Sequence, residues 1–179
     1  MDTYFVRLGR HGSDLMADGQ DDLEVRDAEP GELAAITALR RRVWAALDPD
    51  REPARERGGY YAVPSGAIEI GAWAADGELL GGGRLSLHAS WNELPHAEAW
   101  PDLQSALPLG AIALLSRLVV APSARGLGVA TALDDARIAR ARLLGARFVL
   151  GFSHALEGGH RRSALLRAQR QLHLPTGDN

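Results

Sequence analysis

Apolar and polar positions along the chain switch between two periods, and the switches mark the elements. Residues 1–22 are polar, rich in Asp and Gly, and show neither period for long, so they are expected to form a flexible extension, with Tyr4-Phe5-Val6 as its one apolar point. Leu23 to Arg26 reads as a short strand. Asp27 to Pro30 then supplies a helix start, an acid followed by a proline, and Leu33, Ile36, Leu39, Val43 and Leu47 recur on one face of a helix of about four turns. Asp48 to Gly59 is charged and proline-bearing, which reads as a loop. Two β-rich runs, Ala67 to Ala75 and Glu78 to His88, flank Asp76-Gly77, a strong hairpin signal.

A long connection follows over 89–110, with Pro95, Pro101 and Pro108 and with Trp91 and Trp100. Connections of that length inside a domain usually serve function or lack order. The two tryptophans are expected either to line a substrate pocket or to anchor the connection. Ala111 to Val120 is the next strand. A glycine turn and a helix to about Leu144 follow, then a strand over Arg147–Phe152 and a last helix over Gly159–Leu172. Alternating strands and helices of this kind predict an α/β fold with a mixed sheet. The single domain is expected to span 23–179.

The bulk numbers narrow the class. The chain has 179 residues, 46% apolar, with a net charge of −3, which fits one globular domain and not a disordered one. It contains no lysine and no cysteine, so disulfides, thiolate metal sites and a cysteine nucleophile are excluded. No window approaches a membrane span, and the N-terminus lacks the run of a signal peptide, so a cytoplasmic protein is expected. Arg40-Arg41-Arg42 looks like a basic patch, but the overall negative charge argues against nucleic acid. Arg137, Arg140 and Arg142 are expected on a solvated helix face, with Asp134 and Arg137 as an i,i+3 pair. The six histidines show no metal-binding spacing, so no metal is expected.

The chemistry concentrates in 114–133. A β-branched strand ends at Pro122, and Arg125-Gly126-Leu127-Gly128-Val129-Ala130 leads directly into a helix. Amides at a helix N-terminus, with roughly half an elementary charge of dipole behind them, hold phosphate well. The order of residues is neither G-x-G-x-x-G nor a P-loop ending in Gly-Lys-Ser/Thr.

This stretch resembles the acyl-CoA-binding motif of the GNAT N-acyltransferase superfamily, Gln/Arg-x-x-Gly-x-Gly/Ala, at Arg125, Gly128 and Ala130. The element order over 23–172 is similar as well. The resemblance implies a GNAT-like fold and an N-acyltransferase. Such an enzyme moves an acyl group, acetyl first of all, from acetyl-CoA or another acyl-CoA to a primary amine of a small molecule or peptide. It implies that backbone groups of Leu118, Val119 and Val120 pair with the pantetheine arm. Arg125, Gly126, Leu127, Gly128, Val129 and Ala130 would hold the pyrophosphate.

Direct attack needs a base for the ammonium proton. Glu69, His88, Glu93, His96, Glu98, Ser116 and His154 are the candidates, with His88, His154 and Ser116 preferred. The family's glutamate on the strand before the turn is missing, and so is its tyrosine in the last helix. The two further strands that the family adds are expected to be either missing or supplied by a partner chain. A hairpin supplied by a partner in a homodimer would then complete the sheet. Two other readings stay open: a long-chain N-acyl amino acid or acyl-homoserine-lactone synthase, suggested by Leu39-Arg-Arg-Arg-Val-Trp44 and Ser116-Arg117, and a CoA-binding domain without catalysis.

Overall fold

Six strands make one mixed sheet in a computed structural model that describes residues 2–7, 23–95, 97 and 111–153. In chain order the elements are β1 (Asp2–Arg7), β2 (Leu23–Asp27), α1 (Leu33–Leu47), α2 (Glu52–Arg57), β3 (Ile68–Ala74), β4 (Leu79–His88), β5 (Ile112–Val120), α3 (Val129–Leu143) and β6 (Phe148–Ser153). The strands lie in the order β1-β6-β5-β4-β3-β2. Every pairing is antiparallel except β5 with β6, which α3 connects.

Local chemistry sets the elements. The Glu32 carboxylate accepts a hydrogen bond from the Glu29 amide at 2.7 Å, which satisfies one donor at the start of the tight turn Pro30–Glu32 that leads into α1. Ile36, Leu39 and Val43 bury one face of that helix, and Arg40 lies buried beside them. The hairpin turns at Asp76-Gly77, where the Asp76 carboxylate accepts from the Glu78 amide and Gly77 takes a φ of 86°.

Three consecutive glycines in β4 let helices approach both faces. A side-chain carbon on Gly82 would stand 2.9 Å from Ile36 of α1, and one on Gly81 would stand 3.0 Å from Leu133 and Val129 of α3. Successive strand residues point to opposite faces, so α1 and α3 sandwich the sheet. On the α3 side, Leu85, Ala113, Leu115 and Val149 pack with Ile138 and Ala141. Ile112, Leu114, Phe148 and Leu150 form a separate cluster with Trp91 and Leu94. Trp91 therefore anchors the connection after β4. Trp100 lies outside the described residues.

Several expectations change. Within 48–59, expected as a loop, a turn over Pro49–Arg51 leads into the short α2. Arg55 ties it down through Glu52 at 3.1 Å and the carbonyl of Asp48 at 3.2 Å. Residues 2–7, expected within a flexible extension over 1–22, form β1 and cover the outer edge of β6 in register from Asp2 opposite Ser153 to Arg7 opposite Phe148. β1 is thus the edge strand on this side of the sheet. The last helix expected at 159–172 lies outside the described residues.

Arg137 and Asp134 are not on a solvated face. Both are buried, because α3 presents them to the sheet beneath the glycine-bearing stretch of β4. Arg140 is half-buried and pairs with Asp27 at 2.9 Å, which leaves only Arg142 of the three exposed. The apparent basic patch separates in the same way. Arg40 points inward, Arg41 lies 5.0 Å over the Tyr61 ring, and Arg42 is exposed.

Candidate functional site

The parallel pair opens where the site would be. β5 and β6 pair from Ile112–Phe148 to Leu115–Gly151 and no further. From Ser116 to Val120, β5 has β4 on one side and, among the described residues, no strand on the other. A strand edge left open in this way offers its backbone groups to an extended ligand. Leu118, Val119 and Val120 lie on this stretch; the Val119 side chain is buried in the core, so it would take part through its backbone.

A bulge shapes the same stretch. Gly82 faces Val119 and Arg84 faces Ser116, so Arg117 and Leu118 together oppose Gly83. Arg117 has a φ of 57°, a left-handed conformation unusual for a side chain that is not glycine. Two buried arginines hold the bulge. Arg40 Nε donates to the Arg117 carbonyl at 2.9 Å, and Arg137 Nη1 donates to the Ser116 carbonyl at 3.2 Å.

Beyond the strand, Pro122–Ala124 makes one tight turn, and Arg125 to Gly128 lead into α3. Gly126 and Gly128 have φ of 84° and 81°, values that a side chain resists. Gly128 caps the helix without a side-chain hydrogen bond, so no side chain of its own occupies the donors there. Arg125 to Gly128 are exposed and Ala130 is half-buried. The turn is thus open to solvent, with a fifteen-residue helix dipole behind it.

The candidate bases fare differently. Glu69 is buried and fully engaged: Arg40 binds it through both terminal nitrogens, at 3.0 and 2.5 Å, and Arg84 Nε donates to Oε1 at 2.6 Å. Both oxygens of this carboxylate are thus taken up by guanidinium donors. Ser116 stands where the strands part, directly opposite Arg84 of β4. His88 pairs instead with Ile112, four positions back along β5. At about 3.3 Å per residue it lies roughly 13 Å from Ser116 along the strand, so the structure does not bring the two together. Its Nε2 shares a 2.9 Å hydrogen bond with the Ser86 hydroxyl, and burial holds its pKa below the ordinary histidine value, with Glu93 pulling the other way. The Glu93 carboxylate accepts from the Ala89 amide at 2.9 Å. His96, Glu98 and His154 lie outside the described residues.

The sequence reading missed the Arg40–Glu69–Arg84 cluster. A signal for half of it existed: Glu69 and Arg84 sit at equal distances from the Asp76-Gly77 turn and so face each other across the hairpin. Among the described residues no group of His, Asp and Glu side chains has the arrangement to hold a metal. No described helix is long and apolar enough to cross a membrane.

No family model and no curated protein matches the chain. Solved structures do. An aminoglycoside acetyltransferase from an uncultured soil metagenomic sample superposes with a TM-score of 0.59 at 19% identity, over 88% of this chain and 96% of that one. A GCN5-related N-acetyltransferase from Kribbella flavida gives 0.56 at 27% identity, over 84% and 83%. The aminoglycoside acetyltransferase AAC(6')-Iy, in complex with a bisubstrate analogue built on CoA, gives 0.56 at 17%, over 88% and 95%. The fold is that of the GNAT acetyltransferases, a mixed sheet with helices on both faces.

Proposed function

We propose that this protein is an N-acyltransferase that moves an acyl group, acetyl first of all, from acyl-CoA to a primary amine. One observation carries the reading. The strand that loses its parallel neighbour at Ser116 leads, through one tight turn over Pro122–Ala124, into the open helix N-terminus at Gly128. The first feature suits an extended pantetheine arm and the second a pyrophosphate. Backbone groups of Leu118 to Val120 would take the arm. Amides of Gly126, Gly128, Val129 and Ala130 would take the phosphates, with Arg125 adding a charge-assisted bond.

The amine attacks the thioester carbonyl, a C–N bond forms, the C–S bond breaks, and CoA leaves as the thiol. The amine must first shed its ammonium proton. With Glu69 locked between two guanidiniums and His88 far along the strand, this reading has the amine enter as its neutral fraction. The acetyltransferases that share this fold support acyl transfer to an amine.

The test is CoA binding by calorimetry beside thiol release with a panel of amines. Wild-type protein is expected to bind CoA and to release thiol only when an amine is present. Gly128→Arg, which puts a side chain into the cradle at a positive φ, is expected to weaken CoA binding at least tenfold. Unchanged affinity in that variant would remove the phosphate site, and binding without turnover would leave a CoA-binding domain.

A further inference from the structure

The face of the sheet that carries α1 holds more positive charge than its own side chains neutralise. Arg40, Glu69 and Arg84 form one buried group in which a single carboxylate answers two guanidiniums. Arg117 adds a third. It is half-buried and contacts the Tyr60 ring, 3.0 Å from its centroid, and among the described residues no carboxylate pairs with it. Burial, with Arg40 close by, pushes its pKa down to about 10, still far above neutrality, so it remains charged.

A second observation points the same way. Nη2 of Arg84 is buried and, among the described residues, has no hydrogen-bond partner. Buried guanidinium donors are costly to leave unmade, and an uncompensated buried charge is costlier still. The opposite face supplies a contrast: there Arg137 has the carboxylate of Asp134 beside it, one charge for one. Among the described residues the surplus lies on the α1 side, and it brackets Ser116, with Arg84 directly across the strand pair and Arg117 next along the chain.

Given the acyl-transfer reading on which it rests, we propose that the acceptor is an amine that also bears a carboxylate, which Arg117 and the free Nη2 of Arg84 receive. The carboxylate fixes the substrate on the α1 side of β5 and leaves its amine to approach the gap at Ser116. Guanidinium forks match carboxylates in shape as well as charge. The same surplus repels a polycation, so an amino-sugar acceptor of the kind named for two of the neighbours is disfavoured here.

The experiment compares matched amines on the full chain with acetyl-CoA: an α-amino acid, its carboxamide, and a polyamino sugar. The amino acid is expected to exceed its amide at least tenfold in kcat/KM, mainly through KM, with the amino sugar lowest. Arg117→Gln is expected to bring the acid-to-amide ratio near one, and Arg117→Lys to restore part of it. Equal use of acid and amide by the wild type, or an unchanged ratio in Arg117→Gln, overturns the proposal. A second measurement separates it from the transfer reading. Stabilisation against heat by an N-acetyl amino acid but not by its amide keeps the carboxylate site even if no amine releases thiol. If neither compound stabilises and no amine reacts, both readings fail.

Discussion

Arg40 and Arg137 grip adjacent carbonyls of one strand from opposite faces of the sheet. Arg40, from α1, takes the carbonyl of Arg117, and Arg137, from α3, takes that of Ser116. A left-handed residue that is not glycine costs on the order of 1–3 kcal/mol and persists only where its surroundings over-determine it. The two guanidiniums are that constraint, and each is a buried member of an ion pair as well.

Arg40→Met therefore removes a bulge contact and one of the two cations on Glu69. Breaking a buried pair by deleting one partner typically costs about 3–5 kcal/mol. Urea denaturation is expected to show a loss near the lower bound, because Arg84 still holds Glu69. A loss below about 1 kcal/mol would mean that the cluster contributes little to the fold.

Gly83→Ala probes the other grip. The new carbon would stand 2.9 Å from Cζ of Arg137, so the guanidinium must shift away from the Ser116 carbonyl. Overpacking of this kind costs about 1–3 kcal/mol. The expected result is a lowered urea midpoint together with weakened CoA binding, because the bulge sits on the strand that leads to the cradle. A stability loss with CoA affinity untouched would separate the two.

The strand-turn-helix over 112–143 was readable from its residues because each step is local: a β-branched run, a proline, two glycines, an apolar stripe. The buried arginines were not. Arg137 and Asp134 look like an ordinary surface pair at i,i+3 spacing, and only the side-chain-free stretch of β4 at Gly81-Gly82-Gly83 makes room to bury them. Likewise Arg40 reads as one third of a basic patch until β3 brings Glu69 beneath it, 29 residues away. Of the catalytic candidates, Ser116 falls at the gap because it lies on the legible strand. His88 was drawn in by its place at a strand end, and that end proves to be the far one.

His88 gives a pH prediction. Its folded pKa lies below the unfolded value, so between the two the unfolded chain binds the extra proton. Stability is then full above about pH 6.5, the unfolded histidine value, and declines as pH falls toward the folded pKa. His88→Gln is expected to flatten that part of the stability profile. Because His88 lies away from the gap, the pH dependence of thiol release is expected to keep its shape in this variant. A lost alkaline rise would return His88 to the chemistry.

Removal of residues 2–7 tests the edge. β6 would lose its outer partner along all six positions and expose unpaired amides and carbonyls. The shortened chain is expected to self-associate in sedimentation at concentrations where the full chain does not. It should also melt at least about 4 °C lower, each kcal/mol being worth roughly 2–4 °C at this size. Identical behaviour of both chains would leave β1 without a structural role.

The pairing of β1 with β6 also sets the tempo of folding. Asp2 meets Ser153, so the sheet's outer rung joins segments at the greatest sequence separation among the described strands. Local hairpins such as β3–β4 close quickly, whereas a rung of such high contact order forms late, after most of the loop-closure entropy has been lost. The β5–β6 gap is bounded on its far side by the strand that β1 secures. The donor cleft would therefore be the last part of the molecule to become rigid, and a refolding experiment would find CoA binding recovering after the bulk of the secondary structure.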